Sequence, residues 1–186
     1  MIPRGSKALA IDPGYAADSG GCACAYGERG ELCYVMFQRP AEFARNEAGR
    51  GEIEHVIVEQ PQQDGRSWNV PPAVLIRLAW DGAALAGLYA GASGAVLHAP
   101  TVNEWKGSEN KVPMHRRLWK ILTVSERVVL GGIKTGNAID AAAEKGALCR
   151  WSKSGAELYP KAFKTHNLLD AAALLMWALG RLEKVG

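Results

Sequence analysis

The 186 residues, 48% apolar and 22% charged, suffice for one domain with its own core, spanning 1–186. No apolar run approaches the roughly 18–20 residues of a membrane span, and Met1–Ser6 lacks the apolar stretch of a secretory signal, so a cytoplasmic location without a membrane partner is expected. Net charge is only +3, but residues 1–100 carry 8 Lys and Arg against 11 acids while residues 101–186 carry 14 against 8, a basic half suited to a phosphate-backbone partner.

Lys7–Asp12 is a short apolar run that ends in an acid and then Pro13-Gly14, the pattern of a strand entering a turn. Gly20–Tyr26 and Glu31–Phe37 read as two further strands joined by a tight turn around Gly27–Gly30. Pro40–Arg50 has the pattern of a short polar helix. His55–Glu59 is a β-branched run, the mark of a strand covered on both faces, and the loop Gln60–Val70 follows it. Pro71–Ala90 has helical spacing, its two prolines fitting only a first turn, and Gly94–His98 reads as a fifth strand.

The second half is mostly helical. Pro113–Leu122 gathers Met114, Leu118, Ile121 and Leu122 on one face. Ser125–Leu130 and Asn137–Leu148 are shorter helices, and Trp151–Lys164 is a basic loop. Leu168–Leu182 is a closing helix capped by Asn167 or a neighbour. Hairpin strands, then strand–helix–strand, then helices make an α/β order around a mixed sheet. Cys22, Cys24, Cys33 and Cys149 show no C-x-x-C spacing. Cys22 and Cys24 share one face of their strand and read as small buried hydrophobes, with a zinc site as the alternative.

Three acids stand where folding alone would not put them. Asp12 and Glu59 close apolar strands, and Asp170 interrupts the apolar run Leu168–Leu175. Burying an unpaired carboxylate costs several kcal/mol, and few lysines or arginines lie near these acids in sequence. A shared divalent cation would offset that cost, and carboxylate oxygens suit Mg²⁺ or Mn²⁺. His166 and Asn167, four and three residues before Asp170, lie near its helical face and could complete the site. Taken singly, each has an ordinary account: Asp12 as a turn former, Glu59 as a solvent-facing strand end, His166 as a cap or surface residue.

The ordered set resembles the RuvC-like Holliday junction resolvases, notably their phage-borne members. Ala10–Gly14 resembles the family's first-strand motif, Val56–Gln60 its fourth strand and Thr165–Ala171 its C-terminal helix. Arg77–Leu85 is similar to its second helix, and Pro100–Arg117 to the basic segment after strand five. The resemblance implies an RNase H-like fold, a five-stranded mixed sheet flanked by helices, with Asp12, Glu59 and Asp170 holding two Mg²⁺ ions that Mn²⁺ could replace. Asn167 stands where better-known members have Asp or His, with His166 offset by one, so either completes the ligand set. Trp68 is the candidate for the family's aromatic wedge, a core position being the alternative.

The implied activity is metal-dependent cutting of branched DNA, leaving 5′-phosphate and 3′-hydroxyl ends. Lys106, Lys111, Arg116, Arg117 and Lys120 are then expected to meet phosphates. Paired nicks on a four-way junction call for a two-fold homodimer. The stripe Ala79, Ala83, Ala86 and Ala90 is its candidate interface, with core packing as the other reading. Alternatives are an RNase H or flap nuclease with the same metal centre, and a junction-binding module without catalysis. A two-domain ATPase of the actin and sugar-kinase type would need a longer chain.

Overall fold

A computed structural model describes residues 1–13, 22–40, 52–61, 71–107, 109, 111–130 and 165–184. The expected helices at 40–50 (beyond Pro40) and 137–148, the segment 151–164, most of the loop at 60–70 with Trp68, and Cys149 lie outside the described residues.

β1 (Ala8–Asp12) is buried at every position because it is central in the sheet. It pairs antiparallel with β2 (Cys22–Glu28) on one side and parallel with β4 (His55–Val58) on the other. β3 (Glu31–Gln38) continues antiparallel beyond β2, and β5 (Val96–His98) lies parallel beyond β4, giving the order β3-β2-β1-β4-β5. The domain is thus α/β, with a five-stranded mixed sheet flanked by helices. The β2–β3 hairpin closes on two residues alone, Arg29 and Gly30, both at positive φ. That conformation matches the twist of the flanking strands, and it pushes the strand ends further into the expected turn than the sequence suggests.

α1 (Pro72–Ser93) covers one face of the sheet. Pro71 precedes it and Pro72 sits in its first turn, where a missing N–H costs nothing. It packs through Gly82, Leu85, Ala86 and Tyr89 onto Leu9, Ile11, Cys22, Cys24, Val56 and Val58. At 22 residues it is long and apolar enough to cross a membrane by length and composition alone, contrary to the expectation from the sequence. A core helix passes the same test, and α1 also carries the Arg77–Asp81 pair. The alanine stripe divides in two: Ala86 is buried and Ala90 packs against the core, while Ala79 and Ala83 face outward.

Three further helices follow β5: α2 (Val102–Trp105), α3 (Lys111–Ile121) and α4 (Val124–Leu130). The closing helix, α5 (Thr165–Ala178), lies on the opposite sheet face from α1. The sheet surface beneath it is built from Ala8, Ala10, Ala23 and Ala25, short side chains that let the helix sit close. A side chain at Gly27 would meet Leu175 Cδ2 at 2.9 Å and Glu31 O at 2.7 Å, so only glycine fits there. Because α3 covers its outer side, α5 is apolar on nearly every face. Helix α5 starts earlier than expected, so Asn167 is its third residue and not its cap, and it ends by Ala178 before Gly180 at positive φ.

Candidate functional site

Strand pairing sets the first two acids side by side. Ile11 is level with Val58 in the parallel β1–β4 ladder, and Glu59 N–H donates to Ile11 O at 3.0 Å, one residue beyond β4. Asp12 and Glu59 are therefore level neighbours at the carboxyl ends of adjacent strands. Side chains alternate along a strand, so Asp12 follows Ala8 and Ala10, and Glu59 follows Ile57, onto the face that α5 covers. Asp170 belongs to α5 itself, in its first two turns. Asp12 and Asp170 are only 6% and 4% exposed.

Two of these carboxylates are engaged by the segment after β5. Gln60 N–H donates to Pro100 O at 2.9 Å, and Gln60 and Thr101 form a parallel bridge that extends the β4–β5 pairing. Thr101 then starts α2 through a capping box: its backbone N–H and hydroxyl donate to Glu104 Oε2 at 2.6 and 2.9 Å. The Thr101 backbone N–H, followed by its hydroxyl, holds the Glu104 carboxyl below its ordinary value. The short helix thus fixed presents buried Trp105, whose Nε1–H donates to Glu59 Oε2 at 2.9 Å. On α3, the buried imidazole of His115 lies with Nε2 2.8 Å from Asp170 Oδ1. An ionised carboxylate only accepts, so the imidazole is the donor.

Asn167 is one turn before Asp170 and 2% exposed, and its Nδ2 has no hydrogen-bond partner among the described residues. A buried amide end without a partner is costly and marks a place where a further polar group belongs. His166 lies in α5, four residues before Asp170, and its side chain is outside the described residues. Among the described residues, no three His, Cys, Asp or Glu side chains gather closely enough to hold one ion. An open cavity of about 270 Å³ lined by Ile57, His98, Pro100, Glu104 and Trp177 contains none of Asp12, Glu59 and Asp170.

Cys22 and Cys24 are buried free thiols on the α1 face, as small hydrophobes would be. Burial, with Asp81 and Asp12 adding, pushes the Cys22 thiol up to about 12, and burial raises Cys24 well above its ordinary value. Neither supplies a thiolate at neutral pH.

Of the expected phosphate contacts, Lys106 is half-exposed just beyond α2 and Lys120 is exposed near the end of α3. Arg117 has partners within the protein, donating to Glu109 at 2.6 Å and to the carbonyl of Glu183. Lys111 and Arg116 lie on α3, with side chains outside the described residues.

Sequence reasoning passed over His115 and Trp105 as site residues. The signal for His115 was present: it shares the apolar stripe with Leu118 and Leu122 at helical spacing, a polar residue on a core face like Asp170 on its own helix. Trp105 had no comparable signal, because its contact depends on the Gln60–Thr101 bridge.

Glu126 is a further buried acid, and it shows what a purely structural one looks like. It accepts from Thr123 N–H at 2.7 Å and Leu32 N–H at 2.9 Å, and it pairs with Arg181 through both oxygens. Against the known proteins, no protein-family model and no curated protein matches this sequence.

Proposed function

We propose that this chain is a metal-dependent endonuclease of the RuvC type, with an RNase H-like fold, that cleaves four-way DNA junctions. The observation that carries this reading is that three separate elements, β1, the end of β4 and α5, each bring an acid to one side of the sheet, though not closely enough to hold one ion together. Buried Asp12 and half-buried Glu59 end two adjacent strands on the sheet face beneath α5, and that helix brings a third acid, buried Asp170. The strand order β3-β2-β1-β4-β5, antiparallel and then parallel, agrees with that fold.

The donor set is hard oxygen: three carboxylates and the amide oxygen of Asn167, while the buried Nδ2 of that amide, with no partner among the described residues, is a hydrogen-bond donor that asks for an acceptor and not for an ion. It suits Mg²⁺ or Mn²⁺, with no thiolate to favour a softer ion. Asp12, Glu59 and Asp170, with Asn167 or His166 beside them, would hold such ions, which would supply activation of a water and stabilisation of the leaving oxygen. The chain's own part is to fix Asp12 and Glu59 on rigid strand ends and Asp170 on the helix that covers them. Lys106 and Lys120 are exposed enough to meet phosphates, and the basic second half supplies a salt-dependent affinity.

Two coordinated nicks need two sites, so the active form is a homodimer. The outward face of α1 supports this: Ile76 and Trp80 are 68% and 75% exposed, and Ala83 continues their line. A second reading, junction binding without cutting, draws on Asn167 standing where the resembled family has an acid or histidine.

Cleavage of a synthetic four-way junction tests both readings, with a linear duplex and an RNA–DNA hybrid alongside, in Mg²⁺, Mn²⁺ or chelator. Metal-dependent paired nicks on the junction are expected. Binding without cleavage in any metal would favour the second reading, and preferential cutting of the hybrid would move the substrate to RNA.

A further inference from the structure

Two N–H donors reach the candidate metal carboxylates from one stretch of chain. Trp105 on α2 donates to Glu59 at 2.9 Å, and His115, ten residues later on α3, lies 2.8 Å from Asp170. Both donors are buried, Trp105 and His115 each at 2% exposure, so water competes little for either bond. Both are also anchored independently of the acids. Trp105 hangs from the capping box of Thr101 and Glu104 and from the Gln60–Pro100 hydrogen bond. His115 sits on α3 among Met114 and Leu118, core residues that pack with α5.

An acidic side chain on a strand end or helix can turn about its own torsions. A donor fixed from a third element removes that freedom. We infer that the α2–α3 segment is a positioning device, in which Trp105 orients Glu59 and His115 orients Asp170 for a hard divalent cation. Trp105 and His115 are positioning residues: they act through the carboxylates and touch neither substrate nor ion. Carboxylates from β4 and α5, which belong to different parts of the chain, are in this way aligned by one continuous segment. The inference rests on the metal-nuclease reading of the same acids.

The test uses the full chain, with Mn²⁺ binding measured by titration calorimetry and junction cleavage measured separately. His115→Ala is expected to weaken Mn²⁺ binding by about 10- to 100-fold and to lower kcat by a similar factor, with KM for the junction unchanged. His115→Gln, whose amide can still donate, is expected to recover part of both losses. Trp105→Phe keeps the ring and removes only the N–H, and it is expected to weaken Mn²⁺ binding by about tenfold.

In an Asp170→Asn background, His115→Ala should cost little more, because its effect passes through that carboxylate. If His115→Ala fails to fold, the Gln and Phe variants carry the test alone. Folded variants that bind Mn²⁺ as the wild type does would overturn the inference while leaving the nuclease reading intact. A wild type that neither binds Mn²⁺ nor cleaves any substrate would overturn both.

Discussion

Glu59 stands level with Asp12 because its own N–H donates to the carbonyl of Ile11, carrying the β1–β4 ladder one residue past the end of β4. Backbone hydrogen bonding therefore fixes how far apart the two acids start, and their side chains share the α5 face by strand parity. Asp12→Asn keeps the size and removes the charge. It is expected to abolish metal-dependent junction cleavage while leaving junction binding nearly intact. Gel-shift and cleavage assays on one preparation check this, and retained cleavage would remove Asp12 from the metal site.

Gly82 sets how closely α1 approaches the same strand ends. A side chain there would meet Pro13 Cβ at 2.9 Å and Val58 Cγ2 at 3.3 Å, and Pro13 directly follows Asp12. Gly82→Ala gains up to about 1 kcal/mol of helix propensity against about 1–3 kcal/mol for overpacking, so the net effect is destabilising. Gly87 has nothing within 4 Å of its would-be side chain. Gly87→Ala should therefore raise stability, by up to about 1 kcal/mol. Urea unfolding of the two variants is expected to shift the midpoint in opposite directions, and a shared direction would contradict the packing at Gly82.

The sheet was legible in the sequence because its signals are local. β-branched and apolar runs ending at Asp12 and Glu59, and prolines at the start of α1, mark those elements with no knowledge of tertiary contacts. The site was only half legible for the same reason. Asp12, Glu59 and Asp170 each break a local apolar pattern, whereas Trp105 reaches Glu59 only after the Gln60–Thr101 bridge forms between segments about 40 residues apart. Asn167 looked like a cap because helix propensity carries no information on where a buried helix begins. Burial of Asn167–Met176 against the sheet and α3 places Asn167 within the helix and not at its cap.

Glu126 gives the fold a pH dependence of its own. Burial would raise its carboxyl, but Arg181 and the N–H groups of Thr123 and Leu32 outweigh burial and hold it at about 2, below its ordinary 4.5. A carboxyl depressed in the folded state adds stability that is fully present above its unfolded pKa and is lost as pH falls through the folded one. For Glu126 that window runs from about 4.5 down to about 2. Glu126→Gln leaves Arg181, 17% exposed and still donating to the carbonyls of Gly30 and Ile121, without its charge partner, at a cost of about 1–3 kcal/mol near neutral pH. It should also flatten the acid limb of the stability curve. Denaturation followed at several pH values checks both, and an unchanged acid limb would show that Glu126 is not the group responsible.

The outward face of α1 makes the oligomeric state a test of the proposed activity. Ile76, Trp80 and Ala83 lie on the side of the helix opposite Gly82, Leu85, Ala86 and Tyr89, which face the sheet. Apolar surface on both sides of a helix asks for a second layer, and a copy of the same helix meets that need symmetrically. Trp80→Glu places a charge at the centre of that face on a residue 75% exposed, so it should leave the melting temperature of the isolated fold nearly unchanged. Sedimentation is expected to show a dimer for the wild type and a monomer for the variant at micromolar concentration. The variant should still nick a junction, because each chain carries its own acids, but the two nicks should lose their coordination and single-nicked product should accumulate. A wild type that is monomeric while making paired nicks would separate coordination from dimerisation and assign the apolar face of α1 to something other than a second copy.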